Sequence, residues 1–117
     1  MAMEAGFGWI RMGNTTYDHD IVIHAGGEVS KRRKKASKGL KGEYGHTPLS
    51  EHELDILDAE KPDRVFVGTG TYGALPLTPA AQRILEEHHA VILPTPAVLP
   101  LMETEKRPYV AILHVTC

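Results

Sequence analysis

Residues 64–93, RVFVGTGTYGALPLTPAAQRILEEHHAVIL, decide the fold. Arg64-Val65-Phe66-Val67 is a strand-length apolar run set off by Pro62-Asp63. Thr78-Pro79 then offers a capping hydroxyl followed by a proline suited to the first helical position. Ala81, Ile84, Leu85 and His88 fall on one face of the helix that this cap predicts. Ala90 to Leu93 reads as a second buried strand. Strand, helix and strand in that order make a right-handed crossover between parallel strands.

Towards the C-terminus, Thr95-Pro96 repeats the capping signal, although Pro100 removes a donor one turn later and predicts a short, compromised helix. Val110 to Val115 closes the chain as a last apolar strand. Upstream, Ser50-Glu51-His52-Glu53 has the spacing of a capping box, with Leu49 and Leu54 at the staple positions. A helix is predicted over residues 51–60. Before it, Phe7 to Met12 reads as a strand ending at the Gly13-Asn14 turn. Tyr17 to His24 reads as a second, built on Ile21-Val22-Ile23 and stopped at Gly26-Gly27. Glu28 to Arg33 follows as an antiparallel third strand, and Ser37 to Gly45 as a loop. The pattern predicts one α/β domain over residues 1–117 with a partly parallel sheet and helices on its face.

Composition agrees with a globular chain: 42% hydrophobic and 24% charged residues exclude collagen-like and disordered classes. No apolar run approaches the ~20 residues of a membrane helix, and Met1-Ala-Met-Glu does not resemble a signal peptide. The expectation is a cytoplasmic protein with no membrane association. A single cysteine, Cys117, excludes an intrachain disulfide and a cysteine zinc cluster. The seven histidines form no spaced metal motif, so neither metal nor cofactor is expected.

Charge is unevenly spread. Seven of the thirteen basic residues lie between Lys31 and Lys41, on a chain whose formal net charge is −2. Residues 31–45 thus form a basic, Gly- and Lys-rich strand end and loop. Lys31, Arg32, Arg33, Lys34 and Lys35 are the candidate contacts for an acidic protein partner. The same run is compatible with nucleic acid, but no interleaved aromatics or second basic patch favour it. The edges of a small sheet also make a homodimer an open expectation.

Gly68-Thr69-Gly70-Thr71-Tyr72-Gly73 matches G-x-G-x-x-G directly after a strand. A dinucleotide site would need a helix to open at this loop and an acid ending the next strand; Leu75-Pro76-Leu77 and Val91-Ile92-Leu93-Pro94 stand there instead. The loop reads either as a tight turn or as a ligand loop whose amides hold an anion, with Gly68, Thr69, Gly70, Tyr72 and Gly73 as its candidates. His46, in the loop before the first helix, is the candidate side chain beside it. His114 and Cys117, on one strand, are expected to point to opposite faces, which leaves Cys117 an inert thiol. Asp18 and Asp20 share a strand face at an exposed start and suit solvation.

Phe7-Gly-Trp-Ile10, Tyr17-Asp-His-Asp-Ile-Val-Ile-His24, Gly45-His-Thr-Pro-Leu-Ser50, Val67-Gly-Thr-Gly70 and His114-Val-Thr-Cys117 together carry a family resemblance. The chain resembles, over essentially its whole length, a small-domain family of uncharacterised archaeal and bacterial proteins. That family includes the human adipogenesis-associated domain protein and a mitochondrial complex I assembly factor, and the archaeal members are the most similar. The resemblance implies a three-layer α/β domain with a central mixed five-stranded sheet, one strand antiparallel, and an added N-terminal β-hairpin layer. It implies no catalytic residue, and in its eukaryotic members the role is assembly or adaptor work. The expected function is therefore a non-enzymatic protein-binding module. The alternative is an enzyme or small-molecule binder using the Gly68–Gly73 and His46 loops.

Overall fold

The computed structural model describes residues 2–44 and 47–117, so the His46 candidate lies outside the described residues. Three strands, β1 (Met3–Gly6), β2 (Trp9–Met12) and β3 (Thr15–Tyr17), form a small antiparallel sheet of order β1-β2-β3. The main sheet contains β4 (Ile21–Ile23), β5 (Val29–Lys31), β6 (Arg64–Thr69), β7 (Val91–Leu93) and β8 (Tyr109–His114), in the order β5-β4-β8-β6-β7. β6 is parallel to β7 and β8, while β4 runs antiparallel to both of its neighbours and is the one reversed strand. Helices α1 (Lys41–Tyr44), α2 (Asp55–Glu60), α3 (Pro79–Glu87) and α4 (Thr95–Thr104) complete the regular structure with short 3-10 turns.

Period-two alternation sorts the sheet's side chains into two cores. Ile21, Ile23, Phe66, Ala111 and Leu113 face α4 and the small sheet, meeting Val98, Leu99, Met102, Ile10 and Met12. Val22, Val65, Val67, Val110 and Ile112 face the other way, onto Leu54, Leu57, Ala81 and Leu85. The result is the three-layer α/β domain with a mixed five-stranded sheet.

Several local expectations change. The expected strand over residues 17–24 is two strands in two sheets, because the chain leaves the small sheet after Tyr17 and enters the main one at Ile21. The added layer has three strands rather than a hairpin, since Met3–Gly6 pairs with Trp9–Met12. Ser37 to Tyr44, expected as loop, coils into a 3-10 turn over Lys38–Leu40 and α1. α4 runs for ten residues through Pro100, sustained by the burial of Val98, Leu99 and Met102. Thr78 caps α3 as expected, accepting from the Ala81 amide at 3.1 Å. Ser50 accepts from the His52 amide, but Glu53 does not close a capping box; its carboxylate turns inward.

Candidate functional site

The sheet order brings the ends of β6 and β8 together with the chain preceding β4 and following β5. Arg32 and Asp20 continue the β4–β5 pairing, Arg32 donating its amide to the Asp20 carbonyl at 3.0 Å. His114 stands beyond Leu113, which pairs with Ile21, so it faces Asp20 across the adjoining ladder. Three polar side chains 12 and 94 residues apart in sequence thereby meet inside the protein.

Their hydrogen bonding is dense. Arg32 donates to Asp20 Oδ2 at 2.9 Å, to Glu53 Oε1 and Oε2 at 2.7 and 2.9 Å, and to the Pro48 carbonyl at 2.9 Å. Ser37 donates to Glu53 at 2.6 Å and lies 2.5 Å from the Ser50 hydroxyl. Asp20 accepts from the Val115 amide at 2.9 Å and from His114 Nδ1 at 2.8 Å. Burial alone would push the Asp20 carboxyl up; His114, the Val115 amide and the Arg32 guanidinium together hold it well below the ordinary range. A carboxylate kept ionised has no proton to give, so His114 carries its proton on Nδ1. Its Nε2 faces Thr116 Oγ1 at 3.1 Å and Cys117 Sγ at 4.0 Å.

This geometry corrects three expectations. Asp20 is buried rather than solvated, with 3% of its surface exposed. Cys117 and His114 approach each other, because β8 stops at His114 and the last three residues no longer alternate as a strand. Arg32, a candidate partner contact, is itself 3% exposed and occupied on every side. The basic run hides an internal counter-ion for Asp20 and Glu53, which no count of surface charge can reveal. Of its neighbours, Arg33 pairs with Asp55 and Lys34 lies 3.6 Å from Asp20, while Lys31, Lys34 and Lys35 remain exposed.

The glycine loop is built into the fold as well. Its amides are engaged within the fold: Gly70 donates to Thr95 Oγ1, Thr71 to the Thr116 carbonyl, and Tyr72 and Ala74 to the Cys117 carbonyl. Gly73 and Leu75 donate to Gly70 and Thr69 within the loop. An anion would have to displace these bonds, so the loop that Gly68, Thr69, Gly70 and Gly73 shape clamps the C-terminal segment through the Thr71, Tyr72 and Ala74 amides rather than cradling a ligand. Gly70 is required there: its φ is +101° and a Cβ would sit 2.5 Å from the Cys117 carbonyl carbon. Thr95, expected as a helix cap, instead donates to the His114 carbonyl at 2.6 Å and ties α4 to β8.

Tyr72 is the large side chain of this loop that stands in solvent, at 75% exposure. Phe7, on the turn between β1 and β2, lies beside it with ring centroids 6.1 Å apart and is 59% exposed. The Phe7 turn reaches this end of the sheet because the Gly8 amide donates to the Val115 carbonyl at 2.7 Å. Through Val115 and Asp20, the aromatic pair and Lys34 share one end of the molecule.

A second cluster, which no local motif announces, lies at the opposite end of β4. His24 Nδ1 lies 2.6 Å from Glu60 Oε2, and its Nε2 lies 2.7 Å from Ser30 Oγ. Glu60 also accepts from the Ala25 amide at 2.7 Å. Burial raises the Glu60 carboxyl, but His24 and that amide outweigh it and hold it below the usual glutamate range. Among the described residues no group of histidine, cysteine and carboxylate side chains could hold a metal ion. None of the described helices is long and apolar enough to cross a membrane.

No protein-family model and no curated protein matches the sequence. Among solved structures, the chain is similar to the conserved hypothetical protein PH1505 from Pyrococcus horikoshii OT3, at 36% identity over 100% of both chains and a TM-score of 0.85. A structure described as MT938 is 33% identical over 97% of this chain and 96% of its own, with a TM-score of 0.80. A protein from Bordetella parapertussis, 20% identical over 95% of this chain and 91% of its own, shares the fold at a TM-score of 0.50. Identity and coverage at this level place the chain in the family of the conserved hypothetical protein PH1505.

Proposed function

We propose that the protein is a binding module of the assembly or adaptor type, docking an acidic protein segment that carries an apolar anchor. The observation that carries this reading is the Phe7–Tyr72 pair, two large aromatic rings held side by side in solvent at one end of the fold. Exposed aromatics on rigid supports are typical binding anchors, because few rotamers are lost on contact. Lys34 at the same end, with Lys31 and Lys35 further along the run, supplies the positive field that steers an acidic partner. Arg32 takes no part, and the resemblance to a family whose eukaryotic members do assembly or adaptor work supports the same class of role.

The test is capture from the native host at modest ionic strength, identification of the bound protein by mass spectrometry, and titration of the two purified proteins by calorimetry. Replacing Phe7 and Tyr72 together by alanine should weaken binding by at least about tenfold. Neutralising Lys31, Lys34 and Lys35 should cost less and flatten the salt dependence. A purified partner held equally well by the double aromatic variant would overturn the proposal, as would no reproducible partner.

A further inference from the structure

Ser30, His24 and Glu60 form an unbroken hydrogen-bonded chain that the binding role does not use. Ser30 lies on the edge strand β5, His24 directly follows β4, and Glu60 ends α2. The ladder explains the first contact. Val22 pairs with Ser30, so His24, two residues on, stands on the same face of the sheet as the serine. α2 lies over that face and lowers Glu60 onto the outer side of the imidazole. Glu60 is held ionised, so Nδ1 carries the ring proton and Nε2 is left to accept from the Ser30 hydroxyl. Hydroxyl, imidazole and carboxylate in this order, at 2.7 and 2.6 Å, have the connectivity that activates a serine nucleophile.

Two further features point to a substrate. A cleft of about 220 Å³ adjoins the serine, with Val22, Ile56, Ala59 and Ile112 among its apolar lining. It is smaller than the ~300–1,000 Å³ of drug-sized sites, so it suits a short acyl chain. The Lys31 amide, next after the nucleophile, is also favourably directed. His24 donates to the Glu28 carbonyl and Arg32 to the Asp20 carbonyl, which makes the intervening Val22–Ser30 pair hydrogen-bonded and turns the Lys31 N–H away from β4, off the sheet edge. An amide in that position can donate to an oxyanion formed at the Ser30-bound carbon.

We infer that Ser30 is a nucleophile towards short-chain carboxylic esters, with His24 as its base and Glu60 as the residue that positions His24. The serine proton passes to His24 Nε2 as Oγ bonds the carbonyl carbon. The ester C–O bond then breaks, the proton leaves with the alcohol, and Ser30 is left acylated. Water, deprotonated by the same imidazole, hydrolyses the acyl-serine and restores the hydroxyl.

The full-length protein is tested with p-nitrophenyl acetate and, separately, with a fluorophosphonate probe, the labelled peptide being located by mass spectrometry. The expected result is release of p-nitrophenolate and probe attachment at Ser30 with loss of fluoride. Ser30→Ala should abolish labelling there, and Ser30→Ala and His24→Ala should each slow ester cleavage by about 100-fold or more. Glu60→Gln should lower kcat by a comparable factor while leaving KM unchanged. Thermal unfolding of each variant establishes that it is folded, and Ser30→Val and His24→Gln serve as second variants should either alanine form fail to fold. Failure of the folded native protein to label at Ser30, or cleavage undiminished in folded Ser30→Ala, would overturn the inference. Neither result bears on the Phe7–Tyr72 docking face.

Discussion

Two histidines flank the same short strand's neighbourhood with the same wiring and opposite surroundings. His114 gives Nδ1 to Asp20 and turns Nε2 to Thr116 and Cys117; His24 gives Nδ1 to Glu60 and turns Nε2 to Ser30. The first carboxylate is shared with a buried arginine and a backbone amide, and its side chain is only 2% exposed. At the second, the His24 and Glu60 side chains are 28% and 26% exposed and border an open cleft. Hydrogen-bond connectivity alone therefore does not assign a role. Burial makes the Asp20 cluster part of what holds the fold, whereas access to solvent leaves the His24 chain free to meet another molecule.

The sharpest way to break that contrast is Arg32→Ala. It leaves Asp20 and Glu53 buried beside each other without their counter-ion, and should destabilise the protein by about 3–5 kcal/mol in urea denaturation. A loss similar to that of an exposed lysine variant would show that the cluster does not support the fold. The acid limb of stability sharpens it further. Asp20 is depressed in the folded state, so its stabilisation is present above the ordinary carboxylate pKa near 3.8 and drains away as pH falls below that value. Unfolding free energy should therefore drop below about pH 4, and Asp20→Asn, less stable throughout, should show a flatter limb.

What the sequence discloses follows the range of the interactions. Alternation along Val65-Phe66-Val67 and Val110 to Leu113, with the Thr78-Pro79 cap, is local chemistry, and it yields the parallel strands and the crossover helix. The break after Tyr17 is hidden because Asp18-His19-Asp20 reads as a polar strand end until Asp20 is seen to meet Arg32 and His114. The basic run conceals Arg32 for the same reason: its counter-ion Glu53 lies 21 residues away and looks like a capping residue. Both histidine chains depend on partners 36 and 94 residues distant, beyond any local motif. In the C-terminal His-Val-Thr-Cys segment the two ends are near in sequence, but strand alternation predicts that they point apart, and the end of β8 at His114 is what brings them together.

The most direct test of the central claim is a matched pair of denaturation curves for His114→Ala and His24→Ala. Loss of a buried imidazole bonded to a carboxylate should cost about 3 kcal/mol at His114. The partly exposed His24–Glu60 pair should cost about 1 kcal/mol or less. Equal losses at the two sites, or the larger one at His24, would contradict the division of roles between them.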